Sequence, residues 1–228
     1  CIRDRVRIGV ISLVGYWLAM VLIPVPGIGA GVLEPGRNLA AWIDEMVIPL
    51  RLYRGNWDPE GLLSTIPAIV TGITGMLAGH LIKSDMDIQK KLNYMFFAGF
   101  LCVLAGYTWD LFFPINKNLW TSSYVLFTSG WAFMAFAACI LIVDVHGYNK
   151  MARFGVIYGS NAITIYVFAG MFPVLLNRIL GVKGAFFNGL VDLGMVPELA
   201  SMLWAFTYMF ICFIPAYILY RKKIFIKV

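Results

Sequence analysis

Long apolar runs separated by shorter polar segments dominate this chain. Most are long enough to cross a hydrocarbon core of ~30 Å at a rise of about 1.5 Å per residue. Backbone N–H and C=O groups in lipid must bond within their own segment, so each run is predicted to be a helix. The pattern therefore predicts an all-α fold, a polytopic transmembrane helix bundle with six spans. The spans cover residues 8–23, 62–82, 92–113, 119–143, 154–176 and 199–220.

The first connection, residues 24–61, is the longest, and loops of this length are usually functional or disordered. Within it, apolar residues recur at spacings of three and one, which predicts an amphipathic helix in the membrane interface or folded over the bundle. These apolar residues are Leu39, Trp42, Ile43, Met46, Val47 and Leu50.

The second span is expected to open in "NWDPEGLL". Asp58 has the character of an N-cap and Pro59 that of the first helical position. Trp57 is placed to pack against Leu62 across this helix start. Asp58 and Glu60 could form an acid/base pair, but capping and neutralisation of the helix dipole explain both carboxylates.

Composition supports the membrane prediction, because 61% of residues are hydrophobic and 13% are charged. That is far more apolar than an average soluble domain. The net charge of +6 is too small to indicate a nucleic-acid partner, and the lipid bilayer is the partner expected. The four cysteines lack CxxC spacing, so neither a metal site nor a disulfide framework is predicted. They are Cys1, Cys102, Cys139 and Cys212.

The basic residues concentrate on one side of the predicted bundle, which receives twelve of the 18 Lys and Arg residues. The positive-inside rule then predicts that both termini are cytoplasmic and that the long loop 24–61 is external. The twelve are Arg3, Arg5, Arg7, Lys83, Lys90, Lys91, Lys150, Arg153, Arg221, Lys222, Lys223 and Lys227.

The second span carries Gly72, Gly75 and Gly79 on one helical face. Small residues at this spacing commonly allow close helix packing in membranes. Alternatively, the missing side chains let an elongated ligand run along the backbone. His80 and Lys83 follow at the cytoplasmic end of this face.

Lys83, Lys90, Lys91 and Arg153 form a predicted cytoplasmic basic cluster. Membrane topology alone can explain such a cluster, but it could equally hold the phosphates of a polyanionic cofactor. Asn161, in "GSNAITIY", is predicted to lie inside the hydrocarbon, where its amide needs partners. Those partners could be a neighbouring helix, a pantetheine-like amide or water in a passage.

The segment "FPINKNLWTSS" joins the third and fourth spans on the external side. Pro114 and two asparagines are typical of a tight turn. Amides, a cation, a carboxylate and an aromatic ring also suit a sugar, whose hydroxyls bridge to Asn and Asp while its ring stacks on Trp. The candidate acceptor residues are Asp110, Asn116, Lys117, Asn118 and Trp120.

Seven segments, spread over nearly the whole chain, resemble the transmembrane acyltransferases related to heparan-alpha-glucosaminide N-acetyltransferase. The likeness is greatest to the bacterial branch labelled DUF5009 or NagX-like. The segments are "GYWLAM", "PVPGIGAG", "NLAAWID", "GNWDPEGLLSTIPAI", "GMLAG", "WDLFFPINKNLWTSSYVLFTSGWA" and "GSNAITIYV".

This resemblance implies a bundle of about eleven helices in the bacterial inner (cytoplasmic) membrane. In it, cytoplasmic acetyl-CoA donates its acetyl group to an amino sugar or glycan on the external side. The basic cluster of Lys83, Lys90, Lys91 and Arg153, together with Asn161, would then bind acetyl-CoA. The candidate acceptor residues in and around "FPINKNLWTSS" would bind the amino sugar.

The family's catalytic histidine lies in an external loop within a pattern like "HAEWNG", which this chain lacks. His80 and His146 are both predicted to be cytoplasmic. The chain starts at Cys1 and is expected to be a single transmembrane domain, 1–228, from the carboxy-terminal half of a longer protein. The missing amino-terminal half would supply the base. A transporter or flippase for a sugar, a non-catalytic scaffold and a homo-oligomer are left open.

Overall fold

The computed structural model describes residues 2–48, 54–55, 57–179 and 181–226. The chain divides into two compact units, Cys1–His146 and Gly147–Val228. The described residues form nine α-helices and no strand, which confirms the predicted all-α fold. Five helices in this part of the chain are long and apolar enough to cross a membrane, and a bent pair would make a sixth. The prediction of one domain over 1–228 stays a prediction.

The first unit contains four of these long helices and one short one. The first four predicted spans are confirmed as helices, and a π-helical segment, Leu141–Val145, extends the last of them. The helices are α1 (Ile2–Leu22), α2 (Leu39–Val47), α3 (Thr65–Ile82), α4 (Ile88–Asp110) and α5 (Ser122–Ile140).

Glycines let α4 and α5 pack backbone against backbone. A Cβ built on Gly99 would lie 2.8 Å from the carbonyl oxygen of Gly130, and a Cβ on Gly130 would lie 2.5 Å from the carbonyl oxygen of Gly99. A Cβ on Gly106 would lie 2.7 Å from the backbone nitrogen of Phe127. Close approach of this kind is how membrane helices gain packing energy without a hydrophobic driving force.

α2 folds over the end of the bundle where α3 and α5 begin, which we call the Trp120 end. Asn38 caps it by accepting a hydrogen bond from the Ala41 N–H at 2.9 Å. Leu39 and Ala40 belong to a buried cluster with Tyr16, Met20, Val25, Phe113 and Leu119. Met46 and Val47 remain exposed. Leu50, the last residue of the predicted stripe, lies outside the described residues.

The predicted start of the second span at Asp58 is wrong, because α3 begins at Thr65. The hydroxyls of Ser64 and Thr65 both donate to the Gly61 carbonyl, and the Leu62 N–H donates to Asp44 Oδ1 at 2.8 Å. These bonds hold the chain in successive turns before the helix. Asp58 Oδ1 instead accepts from the Glu60 N–H at 2.8 Å, so neither carboxylate caps α3.

The second unit contains α6 (Asn149–Gly159), α7 (Ala162–Pro173), α8 (Val182–Asp192) and α9 (Pro197–Arg221). The predicted fifth span over 154–176 is helical but not one continuous helix, because the chain bends by 79° between Ala152–Gly159 and Ala162–Leu176. Asn161 leaves helical conformation at this bend (φ −135°, ψ 41°). α8 carried no apolar run of spanning length and was not predicted.

Tyrosine hydroxyls tie the two arms of the bent helix to α9. Tyr158 donates to the Met209 carbonyl, and Tyr208 donates to the Ala169 carbonyl at 3.0 Å. Ile157, Ile165, Cys212 and Ala216 form the buried cluster between them. Each arm of the bend is therefore held by one hydrogen bond and by apolar packing.

Candidate functional site

A cavity of about 570 Å³ lies between α3 and α5 in the first unit. We call it the α3–α5 cavity. Hydroxyl-bearing and small residues of α3 and α5 meet aromatic residues there. It is lined by Thr71, Thr74, Gly75, Ala78, Gly79, Trp120, Tyr124, Thr128, Ser129, Ala132, Phe133 and Phe136.

Within the described part of the chain, the glycine face of α3 makes no close helix contact. Among the described residues, nothing lies within 4 Å of a Cβ built on Gly72, Gly75 or Gly79. Gly75 and Gly79 line the α3–α5 cavity instead. The described residues therefore leave room along the helix backbone at these glycines, and the binding of an elongated ligand there stays a prediction.

Hydroxyl groups form a polar stripe across this cavity. Thr74 Oγ1 and Ser129 Oγ lie 3.0 Å apart and share a hydrogen bond between α3 and α5. The indole N–H of Trp120 donates to Thr71 Oγ1 at 3.0 Å. These groups give an otherwise apolar cavity a few placed polar atoms, which is typical of ligand sites.

Trp120 holds a left-handed backbone conformation (φ 51°). A bulky residue in this region is strained by about 1 kcal/mol or more and is kept there by its surroundings. Its ring packs edge-to-face with Tyr124, with 5.2 Å between ring centroids. The strained turn therefore aims the indole from the loop towards α3.

The loop that contains Asn116, Lys117 and Asn118 is a hydrogen-bonded turn. Asn116 Oδ1 accepts from the N–H groups of Asn118 (2.9 Å) and Leu119 (3.3 Å). Asp110 Oδ1 accepts from the Ile115 N–H at 2.6 Å. The side-chain oxygens of Asn116 and Asp110 thus shape the turn, while Lys117 and Asn118 are exposed at its tip.

Thr121 and Ser123 fasten the same loop to the start of α5. Thr121 Oγ1 donates to the Pro114 carbonyl at 2.9 Å and accepts from the Asn116 N–H at 3.0 Å. Ser123 Oγ donates to the Phe113 carbonyl at 2.6 Å. The structure therefore brings Asp110 and residues 116–118 into one hydrogen-bonded turn. Trp120 follows this turn, and its side chain contacts α3.

A second cavity of about 220 Å³ lies at the Trp120 end, and we call it the Glu60 cavity. Trp120 lines both this cavity and the α3–α5 cavity. The Glu60 cavity was not predicted from the sequence, because Glu60 was assigned to the start of a helix. The cavity is lined by Pro59, Glu60, Ser64, Thr65, Ala68 and Trp120.

A third cavity of about 370 Å³ lies at the opposite end of α3, and we call it the His80 cavity. It shares Ala78 and Phe133 with the α3–α5 cavity. Three adjoining cavities therefore follow α3, whose 18 residues span about 27 Å. The third is lined by Ile2, Val6, Leu77, Ala78, His80, Leu81, Ser84, Met86, Tyr94, Met95, Ala98 and Phe133.

Three of the predicted cofactor residues lie near the His80 end of α3. Lys83 follows the last residue of α3 and is exposed, as is Lys90 in the first turn of α4. The Lys91 ammonium donates to the Ile82 carbonyl at 2.8 Å. Lys91 thereby closes the connection between α3 and α4.

Asn161 and Arg153 lie in the second unit. The Asn161 side chain, 1% exposed, binds the segment after α9, donating to the Ile224 carbonyl at 3.0 Å and accepting from the Ile226 N–H at 2.9 Å. Its amide is therefore satisfied by backbone groups. Cofactor binding by Asn161 and Arg153 stays a prediction.

Asp44, in α2, was not singled out from the sequence, although it is 1% exposed. One carboxylate oxygen accepts from the Leu62 N–H, and the other has no hydrogen-bond partner among the described residues. A Cβ on Gly61 would lie 1.9 Å from Asp44 Oδ2. Burial raises the pKa of Asp44 and the nearby Asp58 carboxylate raises it further, against the lowering effect of the Leu62 bond.

Comparison with known proteins identifies curated relatives over almost the whole chain. Heparan-alpha-glucosaminide N-acetyltransferase of Homo sapiens is 31% identical over 96% of this chain, and that of Mus musculus is 30% identical over the same share. The chain spans 36% and 37% of the lengths of these two relatives. No protein-family model matches it.

Proposed function

Because this chain is related to the heparan-alpha-glucosaminide N-acetyltransferases, we propose that it is part of an integral-membrane acyltransferase. The donor is cytoplasmic acetyl-CoA, and the acceptor is an amino sugar or glycan on the external side. The Trp120 end would face outwards in a bacterial inner membrane. The observation that carries the proposal is the row of three cavities along α3, joined by shared lining residues.

The α3–α5 cavity suits the pantetheine arm of the donor. Its open glycine positions leave room for a narrow, elongated chain, and the hydroxyls of Thr74 and Ser129 offer partners for amide groups. At the His80 end, Lys83 and Lys90 are exposed cations that could bind phosphates. Lys91, Arg153 and Asn161 complete the set of donor residues proposed from the sequence.

The acceptor would bind at the Trp120 end, next to Asp110, Asn116, Lys117 and Asn118. Trp120 borders both the donor cavity and the Glu60 cavity, so it stands where acetyl group and acceptor would meet. In the transfer, the acceptor nitrogen forms a bond to the acetyl carbon, and the carbon–sulfur bond of the thioester breaks. An acceptor that binds as a protonated amine first gives one proton to the base, which frees the nitrogen lone pair for attack. The nitrogen loses a second proton once the new bond has formed, and the CoA sulfur leaves as a thiolate.

The base is proposed to belong to the part of the protein that precedes this chain. The two histidines here, His80 and His146, do not lie at the Trp120 end: His80 is in the last turn of α3, and His146 follows the π-helical end of α5. The chain's own contribution is binding and orientation. It would hold the donor arm and the acceptor so that the thioester and the amine come close together.

The test measures acetyl transfer from acetyl-CoA to glucosamine by the full-length protein in proteoliposomes. Trp120→Ala should lower kcat/KM at least tenfold, whereas Trp120→Phe, which keeps the ring, should lose less. Trp131→Ala is the matched control, because Trp131 lies in α5 but is 53% exposed and lines none of the three cavities. Equal effects of the alanine substitutions at 120 and 131 would contradict the proposal.

A sugar transporter or flippase is the second candidate, and the bent helix favours it. Carriers often bind substrate at interrupted helices, and a cavity of about 450 Å³ adjoins the 79° bend. A carrier of that type interrupts two helices at matching positions, whereas the described residues contain one such bent pair. Uptake of labelled glucosamine that is recovered unmodified would support this candidate over acetyl transfer.

A further inference from the structure

We propose that Glu60 recognises the protonated amine of the acceptor, and that the Glu60 cavity takes one amino-sugar unit. This inference rests on the proposed function, because it names the group that would select the acceptor of that same site. It is carried by the polar atoms that line the Glu60 cavity and by the turns that hold them.

The polar side chains lining the cavity all present acceptors. Ser64 Oγ and Thr65 Oγ1 each donate their proton to the Gly61 carbonyl, at 2.9 and 3.0 Å. Their remaining lone pairs can only accept hydrogen bonds from a ligand. The Glu60 carboxylate is likewise an acceptor when ionised. A cavity of acceptors fits a ligand rich in donors, and a protonated amine has three N–H groups and a complementary charge.

The one charged side chain among the residues that line the cavity is the Glu60 carboxylate. Within the described part of the chain, no ion pair engages the Glu60 carboxylate. Asp58 lies two residues away and is close enough to Asp44 for its charge to raise the pKa of that carboxyl. A carboxylate in the lining favours a cationic ligand and disfavours an anionic one.

Trp120 and the size of the cavity indicate a single sugar ring. An indole wall offers an apolar face on which the C–H face of a pyranose can pack. The volume of about 220 Å³ is smaller than the ~300 Å³ at which pockets for drug-sized ligands begin. One monosaccharide unit is therefore the expected occupant, with the rest of a glycan outside.

Local contacts hold the backbone of residues 60–62, on the loop that carries the Glu60 side chain. The Glu60 N–H donates to Asp58 Oδ1, and Gly61 lies so close to Asp44 that a Cβ at position 61 would force the Asp44 carboxylate to move. The Leu62 N–H is bound to Asp44 as well. A preformed arrangement of this kind lowers the ordering cost of binding.

The test compares binding of glucosamine and glucose to the full-length protein in detergent, without acetyl-CoA, by isothermal titration calorimetry. Wild-type protein should bind glucosamine more tightly than glucose. Glu60→Gln should weaken glucosamine binding about 10- to 100-fold, as expected for loss of a hydrogen bond to a charged group, and change glucose binding little. Glu45→Gln, an exposed carboxylate of α2 that does not line the cavity, is the matched control.

The outcomes separate this inference from the proposed function. Failure of wild-type protein to bind glucosamine, or equal binding by wild type and Glu60→Gln, would overturn the inference even where acetyl transfer is observed. Glucosamine binding that depends on Glu60, in a protein that transfers no acetyl group from acetyl-CoA, would support the inference while refuting the acyltransferase.

Discussion

The indole N–H of Trp120 donates a hydrogen bond to the hydroxyl of Thr71 across 3.0 Å, joining residues 49 positions apart. Thr71 belongs to α3, and Trp120 lies two residues before α5, which begins at Ser122. Both line the α3–α5 cavity. The bond fixes the orientation of the one aromatic side chain that also borders the Glu60 cavity.

Removing the acceptor of this bond should loosen the indole without removing it. Thr71→Val keeps the side-chain shape but loses the hydroxyl, so KM for glucosamine in the full-length protein should rise about fivefold, the size of one neutral hydrogen bond. Thr71→Ser should restore the wild-type value. Thr108→Val is the control, because the Thr108 hydroxyl bonds only within α4, to Leu104. An unchanged KM in Thr71→Val would show that the bond does not orient the indole for binding.

Filling the glycine face of α3 should block the donor without unfolding the helix. A Cβ on Gly75 meets nothing within 4 Å, so Gly75→Leu should leave the thermal unfolding temperature in detergent near the wild-type value. The new side chain would occupy the α3–α5 cavity, and KM for acetyl-CoA should rise at least tenfold. Gly72→Leu is the control, because Gly72 lies in the same helix as Gly75 and is similarly exposed but does not line the cavity. Similar kinetics for both variants would argue against donor binding there.

Asp44 should make stability depend on pH. Burial raises its pKa in the folded state above the unfolded value, so the protonated form is the one that folding favours. Its contribution is complete below the unfolded pKa of about 4 and is lost as pH rises through the higher folded pKa. Asp44→Asn should therefore flatten the decline in unfolding temperature above pH ~4.

The control for Asp44 is Glu45→Gln, which alters the adjacent, exposed carboxylate of the same helix. Its unfolding temperature should follow the wild-type dependence on pH. A wild-type decline that persists in full in Asp44→Asn would assign the pH dependence to another group.

Asn161 should keep the segment after α9 attached to the second unit. Asn161→Ala removes the partners of the Ile224 carbonyl and the Ile226 N–H, so both groups become available to solvent. Amide hydrogen exchange at Ile226 should become at least tenfold faster, measured by mass spectrometry of the protein in detergent. Asn149→Ala, at the exposed start of α6, is the control and should leave that rate unchanged. Equal protection in both variants would mean that other contacts hold the segment.

The sequence by itself determined the all-α fold and the four long helices of the first unit. Apolar runs of spanning length leave the backbone no alternative in lipid, so α1, α3, α4 and α5 follow from composition and length. The residue types of the loop likewise indicated the turn at Asn116, because Pro fixes the backbone angle and Asn and Thr form short-range hydrogen bonds. These are local effects, and local patterns predict them.

Only the tertiary structure decided where backbones touch and where they leave space. Gly72, Gly75 and Gly79 have packing-motif spacing but meet no other described residue, whereas Gly99, Gly106 and Gly130 form the close contact between α4 and α5. α3 begins at Thr65 and not at Asp58, since the Leu62 N–H donates to Asp44, a residue eighteen positions earlier. The bend at Asn161 likewise accompanies bonds to residues more than sixty positions away. Each outcome depends on a partner distant in sequence, which periodicity and spacing do not encode.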